Sequence, residues 1–223
     1  MCLQDGGAEV IFMADKIDYF FEDDVAGYEA HIARHAGCDD ELRQETAKAL
    51  GLKGASLLLD LWCGTGLELD EIMKRSPWIS VTGMDPSPAL LAKLLAKPYA
   101  SRLTLVNCPT GTTSFGKCTY DAAVSVMMMH HFADADRLSI YRRVFEALRP
   151  GGRYVEADRI ARDDAEEAAF LADWRPGDAA CCERPIVGAR IETLLREAGF
   201  SCVERHWQTD ERAIYVAGKE PKK

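Results

Sequence analysis

The chain has 223 residues, 48% of them hydrophobic and 28% charged, which is ordinary globular usage for one α/β domain with a real core. Twenty-seven Lys and Arg against 36 Asp and Glu leave a net charge of −9, and no long basic run is present, so a broad nucleic-acid footprint is disfavoured. No stretch reaches the roughly 18 to 20 apolar residues that span a bilayer, and the eight cysteines contain no Cys-x-x-Cys pair, so a soluble, cytoplasmic protein with reduced thiols is expected.

Residues 1–14 read as a tail or alternative start, because Met13 opens a second plausible beginning, and 15–223 read as a single domain. From Asp15 to about Gly51 the pattern is helical, with apolar positions at Ile17, Phe20, Phe21, Val25 and Tyr28 and a fresh start capped by Asp39 or Asp40. His31 and His35 stand four apart with Cys38 and Asp39 nearby, a ligand-like spacing; two solvated histidines explain it more simply, and no metal is expected. Short apolar runs then alternate with amphipathic stretches: SLLLDLW and LELDEIMKRS, ISVTGMD and PALLAKLLAK, RLTLVN, YDAAVSVMM and ADRLSIYRRVFEALR, then GRYVEAD. This alternation predicts a doubly wound, mainly parallel sheet with helices on both faces. Residues 159–188 are acidic and then turn-rich, which suits a lid or an ordinary solvated acidic helix equally. A helix over Ala189 to Ala198 and a closing strand pair, SCVERHW and RAIYVAG, follow.

The most informative segment is LLLDLWCGTGLELDEI: a buried strand ending in Asp60, a loop holding Gly64 and Gly66, then a helix. Glycine at a strand-to-helix turn lets backbone N–H groups approach a ligand closely. The next strand ends at Asp85, and a carboxylate at that tip can accept hydrogen bonds from both hydroxyls of a ribose. Two strand tips thus converge on one nucleoside.

Together, DLWCGTG, GMDPSPALLAKL, YDAAVSVMMMHHF and RVFEALRPGGRYVEAD, in this order, resemble the class I S-adenosylmethionine-dependent methyltransferases. The resemblance runs from about Lys16 to the C-terminus. It implies a Rossmann-like sheet of seven strands, the last antiparallel, with S-adenosylmethionine across the carboxyl edge. It implies further that Trp62, Cys63, Gly64 and Gly66 line the methionine half and that Asp60 orients the loop or the amino group. Asp85 takes the ribose, with Met84 and Pro86 beside the adenine. Asn107 and Cys108 follow the third strand, Cys108 standing where the wider family often has an acid, and Ser125, Val126 and Met127 end the fourth strand under the cofactor.

Trp62 departs from the family pattern, which has glycine there. Its ring either turns outward to cap the methionine tail or leaves a pocket that binds the cofactor weakly or not at all. Methyl transfer needs position, a dry site and, for a protonated acceptor, a base. His130 and His131 are the candidate catalytic bases by location, against a plain packing role. Tyr19 and Tyr28 of the helical preface, together with Met128, are candidate substrate contacts; Met127–Met129 suit core filling as well as an adaptable pocket. The expected acceptor is a small molecule. Two alternatives stand beside it: modification of a tRNA wobble uridine, for which Arg142, Arg143, Arg149 and Arg153 would supply the basic patch, and a non-catalytic binding module. Membrane association is not expected, and monomer and homodimer stay equally open.

Overall fold

The computed structural model describes residues 39–107, 113–175 and 183–221. Helix α1 (Asp39–Leu50) is the described part of the helical preface, and the 1–14 tail, Tyr19, Tyr28, His31, His35, Cys38, Cys108, Cys181 and Cys182 lie outside the described residues. The chain continues through β1 (Leu57–Leu61), α2 (Leu67–Arg75), β2 (Ser80–Asp85), α3 (Pro88–Leu94), β3 (Leu103–Asn107), β4 (Tyr120–Val126), α4 (Asp134–Ala147) and β5 (Leu148–Arg159). It ends with α5 (Asp164–Asp173), α6 (Gly188–Glu197), β6 (Cys202–Gln208) and β7 (Arg212–Gly218).

The strands form one seven-stranded sheet in the order β3-β2-β1-β4-β5-β7-β6. β7 runs antiparallel to both β5 and β6, and the other pairs are parallel. The expected doubly wound sheet with a closing antiparallel hairpin is therefore present. Alternation along each strand splits the core into two layers. Leu58, Val81, Val124 and Val155 pack under α1, α2 and α3 through Leu42, Leu69, Ile72 and Leu91. Leu59, Leu61, Ala123 and Tyr154 pack under α4 and α6 through Ile140, Tyr141, Val144 and Ile191.

Local chemistry accounts for the elements that carry the carboxyl rim of the sheet. In α3, Ser87 accepts the Leu90 N–H at 3.3 Å and Pro88 occupies the first turn, a position that needs no donor. α2 carries Glu68 and Asp70 in its first turn and Lys74 and Arg75 in its last, complementing its dipole. α5 is capped by Asp163 and buries none of its residues, as a solvated acidic helix does. Register sets Asp60 level with Gly83 and with Val124, so the carboxyl ends of β1, β2 and β4 form one rim.

Candidate functional site

The loop after β1 is left-handed at Trp62 (φ 57°), Gly64 (φ 48°) and Gly66 (φ 75°). For glycine this is free; for tryptophan it costs on the order of 1–2 kcal/mol. The indole offsets that strain by burial, being 8% exposed with its centroid 5.0 Å from the ring of Phe132, in the layer under α4. It has not turned outward over a ligand. Apolar contact with Phe132 outweighs the solvated alternative, and the indole N–H is left buried without a partner. Replacing Trp62 by glycine relieves the backbone but removes a buried ring, and large-to-small core changes of this size cost about 3–5 kcal/mol. Net destabilisation of about 2–3 kcal/mol is expected in urea unfolding, and a variant as stable as the parent would show that the ring contributes nothing to the core.

The loop lies close over β2. A Cβ at Gly83 would sit 2.8 Å from Cys63 Sγ, and one at Gly66 would meet Leu94 Cδ1 at 2.5 Å. Gly83 was not among the residues singled out from the sequence, because its requirement arises from tertiary approach and not from turn chemistry. The Cys63 N–H donates to Met84 O at 3.1 Å. Asp85, 5% exposed, takes the Gly64 N–H on Oδ2 and the Ser87 N–H on Oδ1, each at 2.9 Å. Burial raises its carboxyl to about 6 against the pull of those two N–H groups. Asn107 Nδ2 donates to Asp85 O at 3.2 Å and to Pro86 O at 2.7 Å, bracing the tip of β2. The residues expected around a nucleoside are thus joined in one hydrogen-bonded unit, and each Asp85 oxygen keeps a lone pair for a further donor.

Beneath this loop Asp60, 1% exposed, and Glu68, 9% exposed, place their carboxyl groups in mutual hydrogen-bonding contact. Burial drives Asp60 well above the usual carboxylate range, with Glu68 the next cause, and burial lifts Glu68 to about 7. Asp60 Oδ2, Glu68 Oε1 and Thr65 Oγ1 are closed from water and lack a partner in the protein. Glu68 was missed in the sequence. The signal was there: it stands four residues before Ile72, which places an acid on the apolar stripe of α2.

At the tip of β4, Val126 is half-buried and Met127 is again left-handed (φ 53°), its N–H donating to Ala157 O at 2.8 Å. Of the three non-glycine residues with positive φ among the described residues, two end the adjacent strands β1 and β4, and strain of this kind gathers at functional sites. The Ser125 hydroxyl bonds to Tyr154 O–H at 2.6 Å within the core, so its side chain serves the layer below the rim. Met128 is partly buried against that layer and Met129 fully buried in it.

The chain then forms a short 3-10 turn (Met129–His131). His130 is 3% exposed; its backbone N–H donates to Asp158 Oδ2 at 2.9 Å, and its Nδ1 lies 2.5 Å from Asp158 Oδ1. Burial alone would raise the Asp158 carboxyl, but His130 and Arg137 outweigh it and hold it below the usual range. His131 is half-buried, its ring centroid 4.0 Å from that of His130. Asp158, at the end of β5, was not singled out from the sequence; in GRYVEAD it reads as an ordinary strand-end acid. A cavity of about 590 Å³ opens elsewhere, lined by Asp70, Met73, Lys74, Tyr99, Ser101 and Arg102, and none of the rim residues above borders it.

Three of the four arginines considered for RNA are engaged within the fold, and Arg142 is exposed. Arg143 donates to Thr113 O at 2.8 Å, Arg149 to Asp121 Oδ1 at 2.7 Å and Arg153 to Ala49 O at 3.5 Å. Among the described residues no helix is long and apolar enough to cross a membrane.

A family model described as a methyltransferase domain matches residues 58–152, which spans β1 to the start of β5. An 18S rRNA guanine-N7 methyltransferase of Saccharomyces cerevisiae is 29% identical over 52% of this chain and 44% of its own. An O-methyltransferase of Penicillium expansum is 26% identical over 74% of this chain and 64% of its own. The chain therefore spans less than two thirds of the length of these relatives. An O-methyltransferase family protein from Burkholderia thailandensis superposes with a TM-score of 0.72 at 15% identity, covering 89% of this chain and 60% of that one. Residues 58–152 thus match a methyltransferase domain, and the glycine loop on β1, the braced acid on β2 and the antiparallel β7, together with these matches, support a class I S-adenosylmethionine-dependent methyltransferase family.

Proposed function

We propose that the chain transfers a methyl group from S-adenosylmethionine to a small-molecule acceptor. One observation carries the reading most directly: Asp60, Glu68 and Thr65 present buried polar atoms without partners around the loop whose backbone Asp85 holds in place. Buried polar groups are normally satisfied, so a set of orphans on one strand-loop-helix segment suits a ligand with matching charges. The amino-acid end of S-adenosylmethionine has them: an ammonium for the carboxyl groups of Asp60 and Glu68, and a carboxylate for the Thr65 hydroxyl. Asp85 would hold the ribose, with Met84 and Pro86 beside the adenine. Bound there, the cofactor supplies an activated methyl carbon to a nucleophile.

The chain's own contribution to the reaction is position and a proton acceptor. Asp158 accepts from His130 Nδ1–H, which fixes the tautomer that leaves Nε2 with a lone pair. Nε2 would take the proton of an acceptor hydroxyl, thiol or amine. Met128 and His131 would border that acceptor. The net charge of −9 and the internal engagement of Arg143, Arg149 and Arg153 favour a small acceptor over RNA, although the yeast relative acts on ribosomal RNA.

Calorimetry with S-adenosylmethionine tests the cofactor reading. Binding in the micromolar to submillimolar range is expected; no heat and no thermal shift at millimolar cofactor would leave a non-catalytic binding module as the better reading. Asp85→Ala should weaken binding by about 1–3 kcal/mol, through loss of charge-assisted bonds and release of the Gly64 loop. Unchanged affinity would place the ribose elsewhere.

A further inference from the structure

The contact between Asp60 and Glu68 has a stoichiometric requirement. Two carboxylate groups cannot hydrogen-bond to each other unless at least one carries a proton. No water reaches the free oxygens, Asp60 Oδ2 and Glu68 Oε1, and nothing in the protein donates to them. The charged groups around the pair mostly share its sign. Asp85 on β2 acts on Asp60, and Asp70 on α2 acts on Glu68. The Cys63 thiol above them is pushed up by burial and by these same carboxyls, and Tyr99, which donates to Asp70 Oδ1 at 2.7 Å, is pushed up as well. Arg43 on α1 brings positive charge towards Glu68, and it pairs with Asp40 at 2.9 Å. Burial of a carboxyl pair is tolerable because the proton neutralises it; a compact cation in the same place would do so as well.

Resting on the cofactor reading above, we propose that Asp60 and Glu68 form a proton-for-cation exchange site, in which the positive end of S-adenosylmethionine displaces the proton held between the two carboxyl groups. Glu68 is in this sense a positioning residue: it doubles the negative charge available to the cofactor without leaving that charge buried and uncompensated when the crevice is empty. The O–H bond of the shared carboxylic acid breaks, its electron pair stays on the carboxylate, and the proton leaves to solvent. Affinity for the charged cofactor then falls as pH drops below about 7, where the proton competes best.

The experiment is titration calorimetry of the full chain near pH 6.5 in two buffers of different ionisation enthalpy, with three ligands. S-adenosylmethionine carries an ammonium and a sulfonium, S-adenosylhomocysteine the ammonium alone, and 5′-methylthioadenosine neither. Release of close to one proton per S-adenosylmethionine is expected, with none for 5′-methylthioadenosine. Equal release with S-adenosylhomocysteine assigns the ammonium as the displacing cation, and release with S-adenosylmethionine alone assigns the sulfonium. Glu68→Gln should bind S-adenosylmethionine about 10- to 100-fold more weakly at pH 8, release little or no proton and flatten the pH dependence. Infrared spectra of the ligand-free protein supply an independent reading: a buried carboxylic acid band that S-adenosylmethionine and Glu68→Gln each diminish. Binding without buffer dependence, or Glu68→Gln binding like the parent, overturns the exchange while leaving the cofactor site standing. Absence of binding by all three ligands overturns both.

Discussion

Replacing His130 by alanine is expected to slow methyl transfer by about 10²–10³-fold near neutral pH, the usual worth of a positioned general base. The cofactor affinity should stay within a few-fold of the parent, because His130 belongs to the β4 tip and not to the loop that Asp85 braces. The loss should shrink as pH rises and the acceptor gives up its proton without help. Asp158→Asn is the companion test. Asp158 accepts three N–H groups, from the backbone of His130 and Arg159 and from His130 Nδ1. An amide there retains much of the shape but no longer favours the Nδ1–H tautomer, so turnover should fall by a comparable factor with the fold preserved. Steady-state rates with matched circular dichroism check both. Equal losses in turnover and cofactor binding, or rates independent of pH, would remove His130 from the chemistry and return it to packing.

The ligand-free protein should also be more stable at pH 5 than at pH 8, the reverse of a domain held by ion pairs. Glu68 and Glu156 are buried, and burial, aided at Glu156 by the charge of Asp158, lifts each from the ordinary 4.5 to about 7. The folded state therefore binds protons that the unfolded chain has already lost. That contribution is complete below about pH 4.5 and disappears as pH climbs through 7. Asp85, raised to about 6, acts in the same direction. Asp158 acts oppositely: its lowered carboxyl contributes stability above the usual carboxylate range and loses it in acid, which sets the lower limit of the window. Each glutamate is worth on the order of 3 kcal/mol, so unfolding free energy in urea should drop by several kcal/mol between pH 5 and 8. Glu156→Gln should remove part of the slope, since Tyr141 Oη–H at 2.6 Å still finds an acceptor in the amide oxygen. A flat or rising profile would mean that neither glutamate holds its proton in the folded chain.

Most of the architecture was legible because the physics that sets it is local. Short apolar runs such as LLLDL and YDAAVSV marked β1 and β4, and Ser87 with Pro88 stands at the start of α3. The rim residues Asp60, Gly64, Gly66 and Asp85 were readable for the same reason: a strand end, a turn and a strand end follow one another within 26 residues. What stayed hidden depends on pairs distant in sequence. Asp158 acquires meaning only when β5 lies beside β4 and His130 arrives 28 residues earlier in the chain. Gly83 acquires it only when Cys63 folds across it. Trp62 was readable as an anomaly, but its direction was decided by Phe132, seventy positions away, which no pattern in DLWCGTG reports.

The close seat of Cys63 over Gly83 has a chemical consequence of its own. With the residue 1% exposed and its thiol held neutral by burial and three nearby carboxyl groups, the sulfur is a poor nucleophile and out of reach of electrophiles. Cys118 and Cys202, both on the surface, are the ones that alkylating agents and oxidants meet first among the described cysteines. The rim beneath the β1 loop is thereby insulated against the reagents that commonly poison thiol-lined enzymes.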